Sequence, residues 1–186
     1  LKGLVLVLAV LMLVSGLDDL VIDVIYWVRR GWRGLTVYRR HEPMAAEALA
    51  AADERPLAIM VPAWQETGVI GLMAESAAST LAYENYHIFV GTYPNDPDTQ
   101  ADVDLVCARF PNVHKVVCAR PGPTSKADCL NNILDAILRF EGLIQLEFAG
   151  FILHDAEDVV CPEELRLFHH LVDRKDLIQI PVYPFE

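Results

Sequence analysis

The sequence predicts an α/β fold with a mostly parallel sheet and helices on both faces, preceded by an N-terminal membrane helix. Three observations predict it. From Leu57 onward, short apolar runs alternate with segments of helical periodicity, as repeated strand–helix units do. Between Gly3 and Leu17 only Ser15 is polar. The acidic tetrad Asp155-Ala156-Glu157-Asp158 closes the apolar run at residues 148–153, and open parallel sheets bind ligands at the carboxyl ends of their strands.

In chain order, residues 1–40 read as a transmembrane helix with a basic juxtamembrane segment. The apolar stretch has 15 residues, short of the ~20 that span a bilayer. The chain opens on Leu rather than Met, so we expect residues upstream. No small-residue cleavage site follows, which disfavours a signal peptide. Residues 41–56, with Pro43 and Pro56 as breakers, read as a linker or short helix. Strands are expected at 57–61, 86–92, 113–118, 148–153 and 177–182. Helices are expected at 68–81, 99–109, 125–140 and 162–172. The third helix carries Leu130, Ile133, Leu134, Ile137 and Leu138 on one stripe. The fourth is expected to place Pro162 at its first position.

Charge sets the orientation and excludes one class of partner. Arg29, Arg30, Arg33, Arg39 and Arg40 follow the apolar segment, against Lys2 before it. The positive-inside rule then places the rest of the chain in the cytoplasm, with Tyr26, Trp27 and Trp32 as an interfacial belt. The arginines suit contact with anionic membrane lipid. Three of the 26 acids and six of the 15 Lys and Arg precede His41, leaving 23 acids against nine bases. That balance disfavours nucleic acid, whose phosphates need a basic face. Cys107, Cys118, Cys129 and Cys161 lack C-x-x-C spacing and read as free core thiols. The histidines show no zinc-ligand pattern.

Four strand ends carry the candidate site. The first runs into Pro62-Ala63-Trp64-Gln65-Glu66. Pro62 removes a ladder donor, Trp64 offers a stacking surface and Glu66 a carboxylate. The second ends in Tyr93-Pro94-Asn95-Asp96-Pro97-Asp98, either an ordinary turn or one in which Asp96 or Asp98 accepts from a ribose or base edge. The third ends at Ser125-Lys126. Ser125 reads as an N-cap, which puts Lys126 in the first helical turn. A cation there opposes the helix dipole and is explained if an anion binds. Neither a Walker A loop nor a G-x-G-x-x-G is present. The fourth ends in the tetrad. Three carboxylates where a buried strand emerges repel one another, and a hard divalent ion, Mg2+ or Mn2+, would resolve the conflict. Helix capping is the alternative reading of these acids. Together the four ends supply a platform, acids, a cation and a metal site, a set that matches a nucleotide-sugar donor.

These residues resemble the family-2 glycosyltransferases, which have a GT-A fold. The opening V-P-x-x-N-E motif appears as Val61-Pro62-Ala63-Trp64-Gln65-Glu66. The G-x-x-x-K-A-x-x-L-N motif matches Gly122 to Asn131, including Lys126, Ala127 and Leu130. The D-x-D motif looks like Asp155-Ala156-Glu157, with Glu157 or Asp158 as the second metal ligand. The second-strand aspartate motif is altered, to Tyr93-Pro94-Asn95-Asp96. A closer similarity is to the bacteriophage adsorption protein B family of bacterial inner-membrane glycosyltransferases. Ser15-Gly16-Leu17-Asp18-Asp19-Leu20, Ile25-Tyr26-Trp27 and His154-Asp155-Ala156-Glu157-Asp158 carry it.

The resemblance implies a Rossmann-like GT-A nucleotide-sugar-binding half at residues 57–186. It implies inverting transfer from a nucleoside diphosphate sugar, with UDP as the expected nucleotide, to a polysaccharide or lipid-linked acceptor. Pro62, Trp64, Glu66, Asp96 and Lys126 would bind the donor. Asp155 with Glu157 or Asp158 would hold Mg2+ or Mn2+. The catalytic base is expected beyond Glu186, as are further membrane helices and a regulatory domain that binds cyclic-di-GMP. Two other classes compete. One is a non-catalytic membrane scaffold with a degenerate transferase fold, which need not bind a nucleotide sugar. The other is a nucleotidyltransferase, for which the basic Gly-rich loop is missing.

Overall fold

The computed structural model describes residues 2–41, 44–50 and 53–181. Two compact units divide the chain, Leu1–Ala45 and Ala46–Glu186. The first is one helix, α1 (Lys2–Thr36), of 35 residues, roughly 50 Å long at 1.5 Å per residue. The helix continues through Asp18-Asp19 without a break, because no Pro interrupts it and a mainly apolar segment resumes at Leu20–Ile25. The most apolar 18 residues have a mean hydropathy of 2.4. α1 is therefore a candidate membrane span. Near its C-terminal end Arg30 donates to the Tyr26 hydroxyl at 3.0 Å, and the Arg33 guanidinium lies 5.4 Å from the Tyr38 ring centre.

The second unit begins with a five-residue helix, α2 (Ala46–Ala50), inside the expected linker. Pro43 lies outside the described residues. Four strands follow: β1 (Leu57–Pro62), β2 (Tyr86–Thr92), β3 (Val113–Val117) and β4 (Gly150–Leu153). They alternate with α3 (Ile70–Thr80), α4 (Pro97–Cys107), α5 (Lys126–Ile144) and α6 (Glu164–Val172). Every strand pair is parallel and the order is β3-β2-β1-β4. β1 is central. Leu57 pairs with Tyr86 on one side and with Gly150 on the other.

Period-two alternation sorts the strands into two cores. Leu57, Ile59, Val61, Ile88 and Val90 face α3, α4 and α6, meeting Ile70, Met73, Val103 and Leu165. Ala58, Met60 and Phe89 face α5, where Cys129, Ile133 and Ile137 recur every fourth residue. Gly91 lets α5 come this close, since a Cβ there would lie 2.5 Å from the Cys129 sulfur and 2.7 Å from Ile133 Cδ1. Caps begin the helices where turn chemistry predicts. Ser125 Oγ accepts from Asp128 N–H at 3.1 Å, and Asp96 starts α4 with Pro97 in its first turn.

Four expectations are corrected. The run at 148–153 is not a buried strand: β4 starts at Gly150 and lies at the edge of the described sheet, with Phe151 49% and Leu153 52% exposed. Residues 177–181 form no strand, and Leu177 is 88% exposed. They have no ladder partner among the described residues, and Pro181 removes a donor; Val182 lies outside those residues. Pro162 is not the first residue of α6, which starts at Glu164. Its carbonyl instead accepts from Ala82 N–H at 2.8 Å, tying the approach of α6 to the end of α3. Cys161 is exposed rather than a core thiol.

Beside the α5 core lies an aromatic cluster of His87, Phe89, His114, Phe140 and Phe148. His87 Nδ1 and His114 Nε2 are 2.9 Å apart, so only one of them carries the shared proton. Burial pushes the His114 pKa down to about 4, with the neighbouring His87 adding to the effect. Burial lowers that of His87 as well. Both rings are held neutral in the fold. Their contribution to stability is complete above about pH 6.5 and is lost as pH falls toward 4. Acid titration of unfolding should show that loss, and His114→Phe should flatten it relative to the parent. An unchanged profile would contradict the assignment.

Candidate functional site

The strand order reverses between β1 and β4, since β2 and β3 lie to one side of β1 and β4 to the other. A crevice opens at the carboxyl ends of strands at such a reversal. The ladder runs to its edge. Ala63 N–H donates to Gly91 O at 2.8 Å, Cys118 N–H to Thr92 O at 2.8 Å and His154 N–H to Met60 O at 3.1 Å. Trp64 and Asp155 are therefore the first residues past paired backbone on β1 and β4.

A cleft of about 370 Å³ lies there, lined by Pro62, Trp64, Glu66, Lys126, Asp155 and Glu157, with Tyr93, Thr124 and Cys129 among its other walls. Six of the eight sequence-predicted site residues thus share one cavity. The remaining two, Asp96 and Asp158, do not line it.

Asp96 is 7% exposed. Its Oδ2 accepts from Gln65 N–H at 2.7 Å, supporting a residue held at φ 57°, and Oδ1 lies 3.4 Å from Thr99 N–H. Thr99, wholly buried, places its hydroxyl 3.1 Å from Glu66 N–H. Asp96 and Thr99 together set the path of the loop that carries Trp64 and Glu66.

The tetrad loop divides its acids among different partners. Asp155 Oδ1 is paired with the Lys126 ammonium. Asp158 Oδ2 accepts from Asp155 N–H at 2.8 Å and lies 3.4 Å from His154 Nδ1, so it closes the turn on itself. Glu157 lines the cleft and is exposed. His154 is 8% exposed. Its Nε2 lies 2.9 Å from Glu164 Oε1 in α6, an ion-pair approach in which neither atom has a well-aligned hydrogen bond. Burial lowers the His154 pKa, but the nearby carboxylates of Glu164 and then Asp158 outweigh it and the net shift is upward. The sequence reading quoted His154 only as part of the motif. Its place at the end of an apolar run, directly ahead of the tetrad, is the sequence signal for this bracing role.

The cleft floor is chemically quiet. Cys129 is 1% exposed. Burial raises its thiol pKa and pushes that of Cys118, 3.6 Å away, up to about 12. Neither is a thiolate nucleophile.

The donor set beside Lys126 is carboxylate oxygen, which suits a hard cation. Among the described residues no three His, Cys, Asp or Glu side chains form a cage. Asp155 and Glu157 fit Mg2+ or Mn2+ that takes its remaining ligands from phosphate and water.

A family model described as "Glycosyltransferase like family 2" matches residues 55–182. The chain belongs to glycosyltransferase family 2. Its members commonly use divalent metals. The chain is 74% identical over all 186 residues to bacteriophage adsorption protein B of Escherichia coli strain K12, and equally so to bacteriophage N4 adsorption protein B of E. coli O157:H7. It spans about a quarter, 25%, of the length of each of these curated relatives.

The turn role of Asp158 has a direct check. Asp158→Ala should lower unfolding stability by about 1–3 kcal/mol, because it removes an acceptor from Asp155 N–H beside a buried imidazole. Asp158→Asn, which keeps an acceptor, should cost less. Equal denaturation midpoints for parent and both variants would contradict the role.

Proposed function

We propose that this chain is the donor-binding part of a membrane-anchored, metal-dependent glycosyltransferase that takes a nucleoside diphosphate sugar, with UDP as the expected nucleotide. One observation carries the reading: a stacking ring, a cation and three carboxylates converge in a single cleft at the strand-order reversal. Trp64 stacks the base. Glu66 accepts hydrogen bonds on the nucleoside side. Lys126, in the first turn of α5, meets the diphosphate where helix N–H groups also point. Pro62 is the last residue of β1 and forms part of the cleft wall.

Asp155 and Glu157 would hold Mg2+ or Mn2+, with Asp158 holding their loop rather than the ion. When bound, the ion supplies Lewis-acid neutralisation of the leaving diphosphate. Lys126 adds electrostatic stabilisation as charge develops on the leaving oxygen. On this reading, transfer is inverting: an acceptor hydroxyl attacks the anomeric carbon as the diphosphate departs. A general base must take the hydroxyl proton, and we assign no residue of this chain to it. The acceptor class is a polysaccharide or a lipid-linked glycan.

On the same reading α1 anchors the protein in the bacterial inner membrane, with Arg29, Arg30, Arg33, Arg39 and Arg40 at the cytoplasmic lipid surface. The relatives' printed names associate them with bacteriophage adsorption. A scaffold role alone would leave the cleft without a nucleotide ligand.

Two expected outcomes test this. Lys126→Ala in the full-length protein should raise the UDP dissociation constant roughly ten- to a hundredfold, the loss of one charge-assisted hydrogen bond, and barely change uridine binding or stability. Unfolding with normal UDP affinity in the folded remainder would make Lys126 structural. A reporter fused after Arg40 should be active in the cytoplasm; periplasmic activity would reverse the topology.

A further inference from the structure

The β2 turn contains an exposed side chain with two unusually well-placed partners. Asn95 donates from Nδ2 to Gly122 O at 2.7 Å and accepts at Oδ1 from Gly122 N–H at 2.7 Å. Both bonds go to the main chain of one residue, 27 positions away, so the amide acts as a short piece of sheet edge between two loops. Next to it, Asp96 holds the β1 loop through Gln65 N–H. Consecutive side chains of one turn thus fasten the loops on either side of it.

Trp64 lies between those fastenings. Its ring packs on Gly122 so closely that a Cβ there would come within 2.3 Å of Cζ3, 2.5 Å of Cε3 and 2.8 Å of Cη2. These are atoms of a rigid ring, and the side chain cannot flex its tip away. Tyr93 meets the indole edge-on, with centroids 5.0 Å apart at 82°, and its hydroxyl is 2.7 Å from Thr124 Oγ1. Only three residues separate Gly122 from Lys126. The fastening that seats the indole therefore also sets how far the ammonium stands from it.

We propose that Asn95 is a positioning residue that, with the bare backbone of Gly122, seats Trp64 and spaces it from Lys126 for a ligand with a flat ring at one end and a diphosphate at the other. This rests on the nucleotide reading of the cleft. A preorganised platform raises affinity because ordering the loops is complete before the ligand arrives. Asn95 touches no ligand and acts through Gly122. Its removal should weaken ring stacking and diphosphate contact together, whereas removal of Lys126 should affect only the latter.

The test uses the full-length protein with Mn2+ and four probes: UDP, GDP, ADP and inorganic pyrophosphate. The binding nucleotide is followed by calorimetry and by the ligand-induced difference spectrum in the near-ultraviolet indole band. Trp64→Leu should abolish that spectral change. Asn95→Ala should diminish it and raise the nucleotide dissociation constant about tenfold, with a smaller rise for pyrophosphate and an unfolding midpoint close to the parent's. Asn95→Asp, which keeps the acceptor for Gly122 N–H, should fall between parent and Ala. Gly122→Ala should lose the nucleotide because the ring is pushed off its seat. Parent-like affinity and difference spectrum in Asn95→Ala would overturn the positioning role while leaving the nucleotide reading intact. A parent that binds none of the three nucleotides would overturn both. A parent whose spectrum survives Trp64→Leu would remove Trp64 as the platform, and the proposal with it.

Discussion

Three carboxylates within four residues, at the point where the edge strand β4 leaves the sheet, are the constraint on which this domain turns. Packing gives such a group nothing and mutual repulsion opposes it. The fold answers by giving the acids different jobs. Asp158 turns back to Asp155 N–H and His154, His154 is held in turn by Glu164 of α6, and Asp155 reaches across the cleft to Lys126. The repulsion is thereby divided between a braced turn, which holds the loop's shape, and a cleft-facing side with Asp155 and Glu157. Lys126, Asp155 and Glu157 end up lining one gap at the strand ends, with Lys126 and Asp155 paired directly.

The sheet order makes that gap available. With β1 flanked by β2 and β4, the loops after β1 and β4 leave neighbouring strand ends and lead to α3 and α6, which pack on the same face of the sheet. The crevice between them lies over the end of a strand whose first five residues are buried. Rigid strands below and side-chain fastenings above, from Asp96, Thr99 and Asn95, hold the loops without regular structure. Membership in glycosyltransferase family 2 agrees with this arrangement.

The sequence made the sheet legible where each strand is buried on both faces. Residues 57–62 and 86–92 read as continuous apolar runs because both sides are covered by helices. Lys126 stood out because its charge opposes the dipole of the helix it begins, and in the fold it pairs with Asp155. What failed was non-local. Residues 177–182 have a strand's composition, but pairing depends on a neighbour that local pattern does not supply. Pro162 suits a helix start, yet its carbonyl is engaged by Ala82 and the helix begins two residues later. Asp96 was a plausible ligand by residue type. Only the path of the β1 loop, with Gln65 in a left-handed conformation, shows that its oxygens are engaged by main-chain N–H groups. Asn95 and Gly122 were unreadable as a pair because 27 positions separate them.

The central claim is that Asp155 and Glu157 face a diphosphate-bound ion and that Asp158 does not. Calorimetry of the full-length protein with Mn2+, in the presence and absence of UDP, tests it most directly. Two carboxylates are too few to hold the ion alone, so Mn2+ should bind weakly by itself and much more tightly with UDP. That gain should vanish in Asp155→Asn and Glu157→Gln and persist in Asp158→Asn. Mn2+ binding that is indifferent to UDP, or equal in parent, Asp155→Asn and Glu157→Gln, would contradict the account.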